Sequence, residues 1–302
     1  MMKDYLSIDI GGTQIKYAIV HEQGVLFEKG HSATPDNLTD FLTVIDDIIL
    51  TFHDRVNGVA ISCPGKVDSR EGVIYFGGSL PFLHGLNLPR YIVERFGLVT
   101  TVVNDAKAAA MAELWLGNLS GVRNGLAIIL GTGVGGGIIC EGTLLQGQHF
   151  QAGELSFMTF PNEGNTIENL AGVQGSAVRM IEKIATVLGL EDTKNGIAVF
   201  EAINEKDSRI YPIFESYCHY IAYIIYNVQA IIDMDRAVIG GGISIQPIVL
   251  DEIKRQYTKI LERLGFIKSM ITPLDIRLCA MGNDANLLGA FYQFLVNEAI
   301  SE

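Results

Sequence analysis

The residues with the clearest chemical potential in this 302-residue sequence are carboxylates set beside glycine-bearing turns. In Asp9-Ile10-Gly11-Gly12-Thr13 a carboxylate closes an apolar stretch and is followed by two residues without a Cβ and one hydroxyl. Such a turn lets main-chain N–H groups approach an anion closely. The carboxylate could then hold a hydrated Mg²⁺ against phosphate oxygens. A plain hairpin turn has the same composition. Leu130-Gly131-Thr132-Gly133-Val134-Gly135-Gly136-Gly137 is richer, with five glycines in seven positions. Each glycine costs backbone entropy on folding, and a hairpin needs only one or two. The excess predicts a backbone that touches a ligand, phosphate being the best fit. No Gly-Lys-Ser/Thr ends the run, so it is not a P-loop. The segment after it reads as strand, which excludes a dinucleotide fingerprint. Gly240-Gly241-Gly242-Ile243-Ser244 follows a third apolar stretch and fits either a tight turn or a surface for a flat ring such as adenine.

Asn104-Asp105 closes another apolar strand and precedes a helical stretch. Asp105 there is either the helix N-cap or a general base that takes a proton from a substrate hydroxyl. Asn104 carries a donor and an acceptor suited to sugar hydroxyls. Glu154, in Ala152-Gly153-Glu154, and Glu168 are further carboxylates, either solvated surface acids or acceptors for vicinal hydroxyls.

These residues need a scaffold. Asp4 to Ile10, Ile15 to Val20 and Val25 to Lys29 read as an antiparallel meander with glycine turns. Phe41, Val44, Ile45, Ile48, Ile49 and Phe52 recur at helical spacing behind a cap at Asn37 or Thr39. Strands are expected at Val56 to Ser62 and Val99 to Val103, and a helix at Ala106 to Leu116. The pattern then starts again: Ile128-Ile129-Leu130-Gly131-Thr132-Gly133 repeats Ile8-Asp9-Ile10-Gly11-Gly12-Thr13 at an offset of 120 residues, each followed by a second apolar strand. This looks like a degenerate internal duplication. Helices are expected at Ala177 to Leu188 and Ile213 to Ile232, strands at Ala237 to Ile239 and Leu274 to Cys279, and a last helix through Glu298. At roughly 150 residues per domain the length predicts about two domains. The glycine-bearing stretch Gly117 to Asn124 is the natural boundary.

Composition narrows the class. Hydrophobic residues make up 48% and charged residues 19%, which is globular and excludes disorder as the main state. The net charge of −12 disfavours a phosphate-backbone partner, so no nucleic acid is expected. No apolar run reaches the roughly 18 residues of a membrane span, so no membrane partner is expected. No leader is apparent over Met1 to Ile8. Cys63, Cys140, Cys218 and Cys279 are far apart and fit reduced thiols in a cytoplasmic protein. The apolar stretch Tyr217 to Ile232 reads as a core helix, with a homodimer interface as the alternative.

Taken in order and spacing, the Asp9 turn, Asn104-Asp105, the Gly131 run, Ala152-Gly153-Glu154-Leu155, the Gly240 turn and Gly282-Asn283-Asp284-Ala285 resemble the ROK family of sugar kinases and repressors. The resemblance spans nearly the whole chain. It implies an α/β, duplicated actin-like ATPase (ribonuclease H-like) fold: two domains with a cleft. The expected division is an N-terminal domain 1–117, to which a C-terminal helix 284–302 returns, and a second domain 118–283. It also implies an ATP- and Mg²⁺-dependent kinase acting on a hexose or hexoside, by analogy at the 6-hydroxyl. Asp105 matches the catalytic base. Asn104, Asp105, Glu154, Glu168 and Ser79 match the sugar-binding set. Gly11, Gly12, Thr13, Thr132 and Gly133 match the phosphate turns, Gly241 and Gly242 the adenosine side, and Asp9 the Mg²⁺ carboxylate acting through water. The alternative within the family is a sugar-sensing regulator that binds a protein partner and does no catalysis.

Two departures from the family pattern modify these expectations. Many members continue the Ala-Gly-Glu-Leu motif with Gly-His and a cysteine cluster that hold a structural zinc. Here Ser156-Phe157 follows, and Met158 to Ile167 contains neither Cys nor His, so no zinc site is expected. Phe157 also exchanges a hydrogen-bonding group near the sugar for apolar stacking area, which would suit a sugar carrying an extra group, such as a β-glucoside. The family's repressors place a winged helix before the first motif. Eight residues precede Asp9 here, so no DNA-binding domain is expected.

Overall fold

The computed structural model describes residues 3–160 and 166–301. In chain order its strands are β1 (Asp4–Ile10), β2 (Gln14–His21), β3 (Leu26–Ala33), β4 (Gly58–Cys63), β5 (Lys66–Asp68), β6 (Val73–Tyr75), β7 (Val99–Asn104), β8 (Gly125–Leu130), β9 (Val134–Cys140), β10 (Thr143–Leu144), β11 (Arg236–Gly241) and β12 (Asp275–Leu278). Its helices are α1 (Leu38–Phe52), α2 (Leu88–Phe96), α3 (Asp105–Trp115), α4 (Ala171–Gln174), α5 (Ala177–Leu188), α6 (Gly196–Asn204), α7 (Tyr211–Ile232), α8 (Pro247–Arg263) and α9 (Ala285–Ser301). The chain divides into two compact units. The first takes the chain up to Ser120, the stretch Leu144–Ala152 and the chain from Met281 on. The second takes Gly121–Thr143 and Gly153–Ala280.

In the first unit the sheet order is β3-β2-β1-β4-β7. β1 is buried at every position after Asp4, the polar Ser7 and Asp9 that alternate with Leu6, Ile8 and Ile10 included. It pairs antiparallel with β2 and parallel with β4, and β4 pairs parallel with β7. α1 packs Phe41, Ile45 and Ile49 onto this sheet's core. Asn37 caps it by accepting the Asp40 amide at 3.0 Å. α3 is rich in alanine because it is crossed closely by α9: a Cβ on Gly289 would lie 1.7 Å from the Ala108 carbonyl oxygen. At the far end of the same crossing Trp115 stacks on Tyr292 at 5.1 Å.

The second unit repeats the plan, with sheet order β10-β9-β8-β11-β12. β8 pairs antiparallel with β9 and parallel with β11, and β11 pairs parallel with β12. The leading strand, its hairpin partner and the parallel neighbour occupy the same places in both sheets, which gives the duplication read from the sequence a structural basis. The core of this unit gathers Leu126, Ile128, Phe214, Ile221, Ile225 and Ile253. α7 supplies much of it, with Phe214, Cys218, Ile221 and Ile225 fully buried, and so is a core helix.

Several boundaries differ from the sequence reading. β3 starts at Leu26 and runs to Ala33, past the expected end at Lys29, and its pairing on β2 shifts register between Tyr17 and Ile19. β9 begins at Val134, so Gly135 joins Gly136 and Gly137 within the strand instead of lying in the turn. Asn104, and not Asp105, is the N-cap of α3. α8 lies outside the expected elements although Val249, Ile253, Tyr257 and Ile260 recur at helical spacing, because Glu252 and Gln256 are buried among them and interrupt the apolar face. Among the described residues no helix is long and apolar enough to cross a membrane.

Candidate active site

In the first unit the site is built on the carboxyl ends of three adjacent parallel strands, where open α/β sheets bind ligands. Asp9 faces Ser62 across the β1–β4 register, and Cys63 faces Asn104 across β4–β7. Asp9 is buried, and its Oδ1 accepts from the Ser62 hydroxyl at 2.9 Å and from the Asn286 amide at 3.0 Å. Burial holds its carboxyl above the ordinary carboxylate range, while the bonds from Asn286 and Ser62 and the charge of Lys16 pull it back. Burial pushes the Cys63 thiol up, and the Asp105 and Asp9 charges push it further, so both carboxylates act on one thiol. Neither Ser62 nor Asn286 was singled out from sequence. The available signals were a polar residue inside the apolar strand ahead of Cys63-Pro64, and an asparagine one position past Gly282-Asn283-Asp284-Ala285.

The turn after Asp9 is held from inside the unit. The Gly11 amide donates to the Gln14 carbonyl at 3.0 Å, and the Thr34 hydroxyl donates to the Gly11 carbonyl at 2.7 Å. Gly12 and Thr13 are exposed. Ser79 stands beside Gly12, whose Cβ, if present, would lie 2.7 Å from the Ser79 hydroxyl oxygen. Asp105 is half-buried at the start of α3, where its Oδ1 accepts from the Ala106 amide at 2.7 Å. Asn104 caps α3 by accepting the Lys107 amide at 3.1 Å. Its Nδ2 donates to the Gly65 carbonyl at 2.9 Å and to Asp105 at 3.0 Å. With both amide protons committed, Asn104 keeps acceptor capacity on its Oδ1 but not the free donor that the sequence reading paired with it.

In the second unit the turn Gly131–Gly133 links β8 to β9, and its Thr132 is exposed. The Ala177 amide, at the start of α5, donates to the Gly131 carbonyl at 3.0 Å. The glycines here have protein neighbours that sequence reading did not foresee. A Cβ on Gly133 would meet the Ser156 hydroxyl at 2.9 Å, and one on Gly136 would meet Leu155 at 2.5 Å and the Gly153 carbonyl at 2.8 Å. The loop carrying Glu154 therefore packs directly on the glycine-rich hairpin. Gly131 and Gly242 have open space where a Cβ would stand. Gly241 has φ +95° and its Cβ would lie 2.1 Å from the Leu130 carbonyl, so parallel pairing with β8 already demands glycine there.

Glu154 is half-buried just before the short 3₁₀ turn Leu155–Phe157, and Phe157 is 63% exposed. Glu168 is exposed and pairs with Arg179 on α5 at 2.9 and 3.4 Å. A groove of about 480 Å³ opens beside this pair, lined also by Gln174, Ser176 and Tyr217. Residues 161–165, part of the stretch where the family's cysteine cluster would stand, lie outside the described residues. Among the described residues no three or more His, Cys, Asp or Glu gather to hold a metal ion.

Comparison with known proteins agrees with this plan. The chain is 28% identical over 291 residues to a beta-glucoside kinase of Klebsiella pneumoniae, covering 95% of each protein. It is 31% identical over 304 residues to an N-acetylmannosamine kinase of Vibrio cholerae serotype O1, covering 96% of this chain and 98% of that protein. The crystal structure of a ROK family protein from Streptococcus pneumoniae TIGR4 in complex with sucrose matches with a TM-score of 0.88 at 27% identity, covering 98% of this chain and 99% of that one. The family model described as ROK family matches residues 5–297. The chain therefore belongs to the ROK family and has its duplicated actin-like ATPase fold.

Proposed function

We propose that the protein is an ATP-dependent kinase that phosphorylates a hydroxyl of a hexose or hexoside, by analogy the 6-hydroxyl. The observation that carries this reading is the row of polar groups along three adjacent strand ends, Asp9 with Ser62 and then Asn104-Asp105. The names of relatives at 28% and 31% identity support it. Asp105 takes the proton as the sugar oxygen forms its bond to the γ-phosphorus, and the bond from that phosphorus to the bridging oxygen breaks to release ADP. Asn104, Ser79, Glu154 and Glu168 orient the sugar, the last as a carboxylate already held by Arg179. Main-chain amides at Gly12, Thr13, Thr132 and Gly133 face the phosphates, Gly11, whose amide is held by the Gln14 carbonyl, shapes the first of these turns, and Gly241 and Gly242 face the adenosine. Positioning and electrostatics do most of the work in such transfers.

Sugar kinases of this family use ATP and Mg²⁺. A single buried carboxylate with both of its protein hydrogen bonds on Oδ1 suits a hard cation that keeps most of its waters, so Asp9 is the residue that would hold Mg²⁺. When bound, the ion neutralises phosphate charge. The reading includes no zinc. It places the enzyme in the cytoplasm, gives it no nucleic-acid partner, and extends to a homodimer whose mass sedimentation would report. The two compact units are taken as the two domains of the fold, divided near residues 117–120. An exposed Phe157, a beta-glucoside kinase relative and a related protein that binds sucrose favour a glycoside over a free hexose.

A coupled ADP-release assay over glucose, fructose, N-acetylmannosamine and cellobiose tests the reading. Sugar-dependent ADP release is expected, largest with cellobiose. ADP release that ignores sugar would overturn it, and sugar binding without any ADP release would favour the regulator.

A further inference from the structure

The stretch Leu144–Ala152 departs from the second unit and belongs to the first before the chain returns at Gly153, directly ahead of Glu154. Its anchors are specific. Lys107 is 3% exposed, and its ammonium donates to the Phe150 carbonyl at 2.6 Å. Phe150 is itself buried and holds φ +57°, a left-handed conformation unusual for a bulky residue. The Arg70 guanidinium lies 5.4 Å from the Phe150 ring centroid. Ser69 donates to the Gln146 side chain, and the Gln146 carbonyl accepts the Ala152 amide at 3.3 Å. A buried ammonium is costly unless it is well bonded. Here it lies on α3, two residues after Asp105, and holds the backbone of a strap that ends two residues before Glu154.

We propose that Lys107 is a positioning residue for sugar binding: by gripping the Phe150 carbonyl it fixes the strap, and the strap fixes the chain from which Glu154 projects. The inference rests on the reading of Glu154 as a sugar ligand.

The test compares Lys107→Met, Lys107→Arg and Glu154→Gln by steady-state kinetics with sugar and ATP varied separately, and follows amide hydrogen exchange in residues 144–152. Lys107→Met is expected to raise the sugar KM by about tenfold and to leave the ATP KM within about twofold. Exchange in the strap should quicken, and Lys107→Arg should recover part of the sugar affinity. Should Lys107→Met not fold, Arg70→Ala makes the same test from the protein surface, with a rise of about threefold in the sugar KM. An unchanged sugar KM in the folded variant, or equal rises in both KM values, overturns the inference. If Glu154→Gln raises the sugar KM and Lys107→Met does not, the role of Lys107 alone is lost. If Glu154→Gln leaves the sugar KM unchanged, the sugar-ligand reading falls and the inference with it.

Discussion

The hydroxyl of Ser156 accepts the Val134 amide at 3.0 Å and donates to the Val134 carbonyl at 3.1 Å. One side chain thus joins the loop that carries Glu154 to the hairpin that follows Gly131–Gly133. A change on either side of that joint should be felt on the other.

Gly133→Val tests the joint. A Cβ there would stand 2.9 Å from the Ser156 oxygen. The ATP KM and the sugar KM should both rise, by about tenfold. Adding Ser156→Gly should return part of the sugar affinity by making room. A Gly133→Val enzyme with its ATP KM unaltered would mean that the turn serves structure only.

Asp105→Asn keeps the shape of the side chain and an oxygen for the Ala106 amide, which Asp105 now accepts at 2.7 Å. It removes the base. We expect kcat to fall by roughly 10²–10⁴ while calorimetry still detects sugar binding. Turnover near that of the parent enzyme would remove Asp105 from the chemistry.

Asp9 sets a pH dependence. Its carboxyl is raised by burial, so as pH falls the folded state takes up this proton before the unfolded state does. The cost of keeping the charge buried is present above the folded pKa and is relieved as pH drops through it towards the ordinary carboxylate range. Stability from this group therefore falls with rising pH, and activity that needs the anion is lost on the acid side. Asp9→Asn should keep the bonds from Ser62 and Asn286, flatten this part of the stability profile and abolish Mg²⁺-dependent turnover. Melting curves from acid to neutral pH on both proteins check it, and identical profiles would contradict it.

Glu113 is fully buried on α3, and its carboxylate accepts the Asn118 amide at 2.8 Å and the Met281 amide at 2.9 Å. It thereby holds the chain just before it leaves the first unit and just after it returns. Glu113→Ala removes the acceptor of two partly buried donors, at a cost of about 3 kcal/mol, enough to lower Tm by roughly 5 °C. Glu113→Gln retains one acceptor and should lose about half as much. Thermal unfolding of the two variants gives the answer, and a Tm for Glu113→Ala within about a degree of the parent would refute it.

Much of the scaffold was legible because it is local. β1, alternating apolar and polar, and β8, an apolar run, both end in glycine turns, and Asn37 and Asn104 stand where helices begin. The glycines of β9 were legible as unusual, but their cause was not. Gly136 is small because Leu155 and Gly153 press on it, and no local pattern records that. The same holds for Gly241 against Leu130.

The order of residue types along the chain determined the strands, the turns, the duplicated plan and the family. Folding alone decided that Ser62 and Asn286 would share one oxygen of Asp9, that Ser156 would join two loops, and that a buried lysine would hold the chain ahead of Glu154. The reason is range. Backbone preferences act over a few neighbouring residues, whereas Asp9 and Asn286 are 277 positions apart and meet only because a sheet and its covering helix bring them together.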